Sequence, residues 1–553
     1  MTMMIHRRLD SHWAEMCAHP RAEWRANLLC AGCEPEDLPR TLHTDDAAAI
    51  RALIAARSGA GQTSEFAGMA LIQAILPALV VMASRNRRAC LDDYVGQAWL
   101  VIVNFPLTRN HKVCTNLALD CLHVVSARLR GTSRETPVEV VDMSAPEMPD
   151  DPGQVASELL TALSGTDFIF SAIRVAGTRG RALDESMCLA RGVIGQETVG
   201  AGGISYALRG IPVVLDLVEQ ITRYAPHAKV INFTNPAGVM TEVMQHRLGD
   251  QVVGICDSPV GLARRVLSTL QDAGLAPADL GSLFDADGRV HIGYSGLNHL
   301  GWLTSLEVDG IDVLPRLMER PDLIASFEEG RLFGPDLVQA LGAVPNEYLH
   351  YYYYSRDDLA VDQDAEAPRG AFLEAQQRRF YTKAQDTDDV AGLWEATRLE
   401  REETYMATNR EVSGEFERDE ADLETGGYDK VALAIMHAIA NDVPAELILN
   451  VANRGALSDL PDDAVVEIPC RVDGSGIHRL PAPALPDHAR GLVINAKYVE
   501  QRTIDAAVNH SRTAALLALS HHPLVDSVYV AEQLLNDFAD AFDGLDYLVD
   551  DHA

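Results

Sequence analysis

The sequence predicts an α/β protein. A parallel, doubly wound sheet forms its middle, an α+β part follows, and a helical module precedes both. Three observations carry this. From about residue 155, short apolar runs alternate with segments of helical period, the pattern of βαβ units. In residues 1–135 the apolar residues instead recur at helical spacing. Charge divides the chain at the same place. Residues 1–135 hold 15 basic and 13 acidic residues, whereas the 553-residue chain stands at −34, leaving −36 for the rest.

In chain order, Ala47–Arg57, Phe66–Met82, Leu91–Val103 and Asn116–Leu129 read as helices of the first module. A linker covers 136–154, entered through the turn-rich run ending at Pro137 and including the Pro- and Asp-rich Ser144–Gly153. Val138–Asp142 is a candidate strand. Thr166–Ile173 reads as a strand, Gly210–Tyr224 as a helix, Lys229–Phe233 as a strand and Met240–Arg247 as a helix. Gln251–Cys256 is the next strand and Val260–Ala273 the next helix. Gly281–His299 reads as a β-ribbon turning at Asp287-Gly288. Residues 310–445 are mainly helical, 446–475 return to strand, and helices run from Ala489 to Phe542. The expected units are therefore 1–135, 136–154, 155–300 and 301–553.

The bulk composition, 47% hydrophobic and 23% charged, is that of a soluble globular chain. No run of 18 apolar residues occurs, so no membrane span is expected. The polar start beginning Met1-Thr-Met-Met-Ile-His gives no apolar signal core. Nine scattered cysteines without disulfide-like spacing point to a reducing cytoplasm. The acidic body argues against nucleic acid as a partner of 155–553. For 1–135 only the short basic run Arg85–Arg88 speaks for such a partner, and a solvated surface explains it as simply. Cys30-Ala-Gly-Cys33 has no second pair to complete a zinc site. The acidic run Glu415–Glu424 reads as a solvated helix face.

Ligands of open α/β sheets collect at the carboxyl ends of the strands. Asn232, Thr234, Asn235, Cys256 and Asp257 lie at or just past such ends, and His299 follows Asn298 in Gly296-Leu-Asn-His. A thiolate and an imidazole on one divalent ion leave positions open for substrate. Taken alone, a cysteine at a strand end is more often a small buried hydrophobe.

The motifs form an ordered set: Gly195-Gln196-Glu197-Thr198, Asn232-Phe-Thr-Asn235-Pro236, Gly254-Ile-Cys256-Asp257-Ser-Pro259, Gly296-Leu-Asn298-His299, Asn346-Glu-Tyr348, and Leu460-Pro461-Asp462-Asp463-Ala-Val-Val-Glu467-Ile-Pro469. Over about 160–545 the chain resembles glycoside hydrolase family 4, the NAD- and divalent-metal-dependent glycosidases, in its 6-phospho-β-glucosidase branch. The resemblance implies an incomplete Rossmann-like sheet with an α+β C-terminal catalytic domain, and NAD plus a divalent metal, Mn²⁺ by preference, as cofactors. It implies a phosphorylated glycoside as substrate and a homo-oligomer. The implied chemistry departs from the two-carboxylate hydrolysis of most glycosidases. The sugar C3 hydroxyl is oxidised, C2 is deprotonated, the aglycone is eliminated and water adds.

The resemblance assigns Cys256 and His299 to the metal, Tyr348 to C2 deprotonation, and Asn235, Asn298, Arg174 and Arg181 to the sugar. Arg369 falls to the 6-phosphate. Asp257 stands where β-specific members often carry Asn and some α-specific members use an Asp as leaving-group acid, so the anomer stays open. The family's opening glycine-rich turn has no counterpart in strand context. Ser58-Gly59-Ala-Gly61 follows a helical segment, and Asp142 is the candidate for the cofactor ribose. Residues 1–135 are similar to a sigma-factor region-2-like helical domain through Leu91-Asp-Asp-Tyr94 to Trp99 and Asn116–Asp120. Two rivals stand beside the glycosidase. One is a fusion pseudoenzyme with a regulatory or binding role; the other is a plain NAD-dependent hydroxy-acid dehydrogenase.

Overall fold

The computed structural model of the chain describes residues 101–103, 139–140, 163, 165–365, 367–387, 389–419, 423 and 428–550. One twelve-stranded sheet organises them. Its strands are β1 (Val101–Val103), β2 (Glu139–Val140), β3 (Phe168–Ser171), β4 (Lys229–Asn232), β5 (Val252–Gly254), β6 (Val290–Leu297), β7 (Leu300–Val308), β8 (Ile311–Asp312), β9 (Val344–Pro345), β10 (Ala445–Ala452), β11 (Val465–Asp473) and β12 (Gly476–Arg479). The order is β2-β1-β3-β4-β5-β10-β11-β6-β7-β8, with β12 on β11 and β9 on β7.

The parallel, doubly wound part is β3-β4-β5. Its residues alternate between two cores, as strand geometry requires. Phe168, Phe170, Ile231 and Val253 face one apolar cluster, and Ile169, Val230 and Val252 face the other. Helix Ala201–Tyr224 lies on the second face with Ala237–Leu248, Arg512–His521 and Val528–Ala541. It is long and apolar enough to cross a membrane, but 78% of the relevant window is buried in the fold. Inside it Arg209 pairs with Asp184, 2.6 Å apart. Helices Ser258–Asp272 and Tyr428–Asn441 cover the first face.

The structure corrects several expectations. The sheet is mixed, because β10 and β11 insert antiparallel between β5 and β6. Val101–Val103, expected at the end of a helix, is a strand running antiparallel to β3. Pairing with a sheet edge overrides the local helical period. Within Val138–Asp142 a strand does form, at Glu139–Val140, but antiparallel to β1. The ribbon turns at Asn298–His299 rather than Asp287-Gly288, since β6 starts only at Val290. Asp287-Gly288 makes a local turn in which Gly288 N–H donates to Asp285 C=O. The helix predicted from Gly210 starts nine residues earlier, at Ala201. The other predicted helices of 1–135, the linker apart from Glu139–Val140, and Cys30, Cys33, Gly59, Gly61 and Asp142 lie outside the described residues.

Candidate active site

The site is built where β5, the β6–β7 hairpin and the Glu347–Leu349 turn converge. After β5 the chain passes through Ile255, Cys256 and Asp257 into helix Ser258–Asp272, whose first turn carries Pro259. Cys256 is 1% exposed. Burial pushes its thiol well above the usual range, the charges of Glu467 and Asp257 push further, and the Ser258 backbone N–H opposes them. A cation beside it is what would favour the thiolate.

His299 occupies the hairpin turn with φ 61°, a left-handed conformation. Its Nδ1 lies 3.0 Å from Thr198 Oγ1. The Thr198 hydroxyl donates to Gln196 Oε1 at 3.0 Å, so it accepts from Nδ1–H. That leaves the Nε2 lone pair open, and Nε2 is buried with no hydrogen-bond partner. Burial lowers the His299 pKa to about 3, so the ring is neutral. A neutral, oriented imidazole with a bare nitrogen is the form that binds metal.

Tyr348 packs on this ring, with centroids 3.7 Å apart and planes 12° apart. Its turn is fixed by Asn346 Oδ1, which accepts from Tyr348 N–H at 3.1 Å. Burial raises the phenol above its usual range, and Glu347 and Cys256 add to the shift while a hydrogen bond with Tyr405 opposes it. His299 thus meets this phenol by stacking, and Cys256 lies near enough for a thiolate there to raise it further. Glu347 is held by Ser258 Oγ at 2.7 Å. Asp257 lies close enough for its charge to act on both Cys256 and Tyr405.

Four arginines gather at the other side. Arg174 and Arg181 both pair with Glu197, Arg181 at 2.6 Å, and Arg181 also reaches Glu185 at 2.7 Å. Burial alone would raise the Glu197 carboxyl, but the two guanidiniums prevail and hold it at about 2. Arg369 opens helix Arg369–Ala384, which packs on Gly177–Ala190 at Gly370. A Cβ on Gly370 would stand 2.9 Å from Ala182 Cα. This contact brings Arg369 beside Arg181 and Arg401, and burial with those two charges lowers its pKa to about 10. Its hydrogen bonds go to neutral oxygens, Thr404 Oγ1 and Arg401 C=O. Asn298 Nδ2 donates to Glu467 at 3.1 Å. Asn235 Oδ1 is buried without a partner.

The sequence-predicted residues therefore fall into two groups around one place: Cys256, Asp257, His299, Asn298 and Tyr348, and the cluster Arg174, Arg181 and Arg369. Sequence reasoning gave no role to Thr198, Glu197, Glu347, Tyr405 or Arg401. Thr198, Glu197 and Glu347 were visible within the motif blocks. Tyr405 and Arg401 had no signal, since they arrive from a charged helical stretch.

Among the described residues no group of three or more His, Cys, Asp and Glu side chains is arranged to hold a metal. Cys256 Sγ and the bare Nε2 of His299 are donors that would fit a divalent ion with positions left open. On the cofactor side, β3-β4-β5 is present and Asn235 offers an unsatisfied oxygen at a strand end. Asp142 lies outside the described residues, and β1 is antiparallel to β3, so β1 is not a dinucleotide fold's parallel first strand.

Comparison with known proteins gives concordant matches. The family model for family 4 glycosyl hydrolases matches residues 147–272, and that for their C-terminal domain matches 294–525. A probable 6-phospho-beta-glucosidase of Bacillus subtilis is 31% identical over 391 residues, covering 69% of this chain and 80% of the relative. A 6-phospho-alpha-glucosidase of Lacticaseibacillus paracasei is 29% identical, covering 68% and 80%. The structure of a Thermotoga maritima 6-phospho-beta glucosidase with manganese, NAD⁺ and glucose-6-phosphate superposes with TM-score 0.56 at 26% identity, over 70% of this chain and 83% of that one. Both family models begin behind residue 146, and the sigma-factor likeness of 1–135 is not borne out. Family models that match both parts of the chain, with a relative 31% identical and covered over 80% of its length, place the chain in glycoside hydrolase family 4.

Proposed function

We propose that this chain hydrolyses 6-phospho-glycosides, with NAD and a divalent metal as cofactors. The observation that carries the reading is the stacking of Tyr348 on His299, whose Nε2 is bare and whose tautomer Thr198 fixes. When bound, NAD⁺ would supply a hydride acceptor and the ion a Lewis acid toward the sugar. Cys256 Sγ and His299 Nε2 would hold the ion, and Asn235 is the described residue best placed to contact the cofactor or the sugar. Tyr348 Oη takes the C2 proton. Its raised pKa means that it needs the ion's field to act as a base at neutral pH. Asn298 orients a sugar hydroxyl.

The phosphate falls to Arg369. Arg174 and Arg181 are already neutralised by Glu197 and Glu185, whereas Arg369 donates only to neutral oxygens. Asp257 would serve as leaving-group acid or leave that role to solvent, and relatives of both anomeric specificities match. At the level of units, 155–300 supplies the cofactor side and the metal ligands, and 301–553 supplies Tyr348 and Arg369. Homo-oligomer formation and a cytoplasmic setting belong to the same proposal, supported by the family. The pseudoenzyme reading is disfavoured by the intact ligand pair and base.

The test is turnover of p-nitrophenyl 6-phospho-α- and β-glucosides with Mn²⁺, NAD⁺ and a thiol reductant in D₂O. Release of nitrophenol with deuterium at C2 is expected, and Tyr348→Phe should abolish both. No release from either anomer would sink the reading.

A further inference from the structure

Cys256 and His299 come from β5 and β6, which are not neighbours. β10 and β11 lie between them. One transverse row bridges the gap: Gly254 pairs with Asn450, Asn450 with Glu467, and Glu467 with Gly296. The metal-ligand candidates stand two residues beyond one end of this row and three beyond the other.

Both ends are glycine because nothing larger fits. A Cβ on Gly254 would stand 2.2 Å from Thr241 Oγ1 and 2.9 Å from Asn450 Cβ. One on Gly296, at φ 151°, would stand 2.3 Å from Leu300 C=O. The row is thereby left to two polar side chains. Asn450 Nδ2 donates to Glu467 Oε1 at 2.9 Å, and Asn298 Nδ2 donates to the same oxygen at 3.1 Å. Glu467 is wholly buried and Asn450 is 1% exposed. Burying a carboxylate in mid-sheet is costly unless its bonds are worth more than a packed apolar side chain. No cation pairs with Glu467 among the described salt bridges, so fold stability does not account for it.

We propose that Glu467 is a positioning residue for the metal centre: its Oε1 ties the Asn298–His299 turn to the Asn450 contact on the β5 backbone, and so sets Cys256 and His299 at one separation. Asn298 and His299 are the two residues of one hairpin turn, so a backbone shift at Asn298 moves His299 as well. The hydrogen bond to Glu467 holds Asn298, and Thr198 fixes the ring beyond it. The carboxylate thus acts through Asn298, the chain neighbour of His299, as outer partners tune ligand geometry. The Tyr294 hydroxyl, also buried, acts on the same carboxyl as a third hydrogen-bonding group.

This inference rests on the metal reading above. The test is calorimetric Mn²⁺ titration of the full chain, alongside KM and kcat for the 6-phospho-glucoside. Glu467→Gln keeps the acceptor in place without charge. Glu467→Asp keeps the charge but withdraws the acceptor by about 1.5 Å, one carbon–carbon bond. E467D should weaken Mn²⁺ binding about tenfold or more, the range for outer-partner mutations, and lower kcat. E467Q should bind Mn²⁺ as the parent does. Should E467D fail to fold, Asn298→Ala cuts the same tether from its half-buried end and should show the same loss. Parent-like binding by E467D or N298A overturns the proposal, as does a loss in E467Q equal to that in E467D. A parent chain that takes up no Mn²⁺ would instead overturn the metal reading itself.

Discussion

The imidazole of His299 lies flat on the phenol of Tyr348, 3.7 Å between centroids. A metal-ligand candidate and a base candidate therefore share one van der Waals contact, so disturbing either ring displaces the other. Their elements are far apart in topology: a hairpin turn, and a short turn that follows a cluster of small helices.

Thr198 is the orienting partner of that imidazole. Thr198→Val keeps the shape and removes the acceptor for Nδ1–H. Mn²⁺ affinity measured by calorimetry should fall about ten- to a hundredfold, whereas Thr198→Ser should retain it. An unchanged affinity in T198V would show that Thr198 does not set the tautomer.

Arg369 is expected to carry the phosphate's charge. Arg369→Gln should raise KM for a 6-phospho-glucoside about ten- to a hundredfold, the worth of one or two charge-assisted hydrogen bonds. Mn²⁺ binding should not move. Steady-state kinetics with calorimetry separate the two, and a loss confined to kcat would reassign the residue.

Glu197 gives a pH signature. Its folded carboxyl sits at about 2, below the ordinary 4.5, because Arg174 and Arg181 outweigh burial. A depressed carboxyl stabilises the fold above about 4.5, and the gain disappears as pH falls toward 2. Glu197→Gln should cost about 3 kcal/mol near neutrality, as for a broken buried pair. In melting experiments the gap between parent and variant should narrow steadily below pH 4.5. A pH-independent gap would mean that packing, not charge, is lost.

Asp257 is the candidate for leaving-group acid. If it donates a proton, Asp257→Asn should slow hydrolysis of a methyl 6-phospho-glucoside about a hundredfold or more, the scale of general acid catalysis. The p-nitrophenyl substrate, which leaves without help, should be nearly unaffected. Equal losses on both substrates would assign Asp257 to binding.

The parallel strands β3–β5 were legible because they are short apolar runs between helix-period segments, and their ends carried Asn235, Cys256 and Asp257 into view. The insertion of β10 and β11 was not legible. Pairing between Asn450 and Gly254, nearly two hundred residues apart, leaves no local periodicity. Likewise, Asp287-Gly288 has a hairpin's composition, but the turn went to Asn298–His299, where the β6–β7 register places it. Of the candidate site, Cys256, His299 and Tyr348 could be picked out from motif order. Their supports could not: Thr198 acts across a hundred residues, and Tyr405 comes from a stretch whose composition announces only a charged helix.

The placement of β10 and β11 between the two ligand strands also orders events in time. Cys256 and His299 both lie within the first 299 residues, yet β11, which stands between their strands, ends at Asp473. A growing chain therefore carries thiol and imidazole long before it can hold them at a fixed distance. A chain cut short before residue 465 would keep both side chains but lack the strand that carries Glu467, and on the proposal above it should not capture an ion in the working geometry.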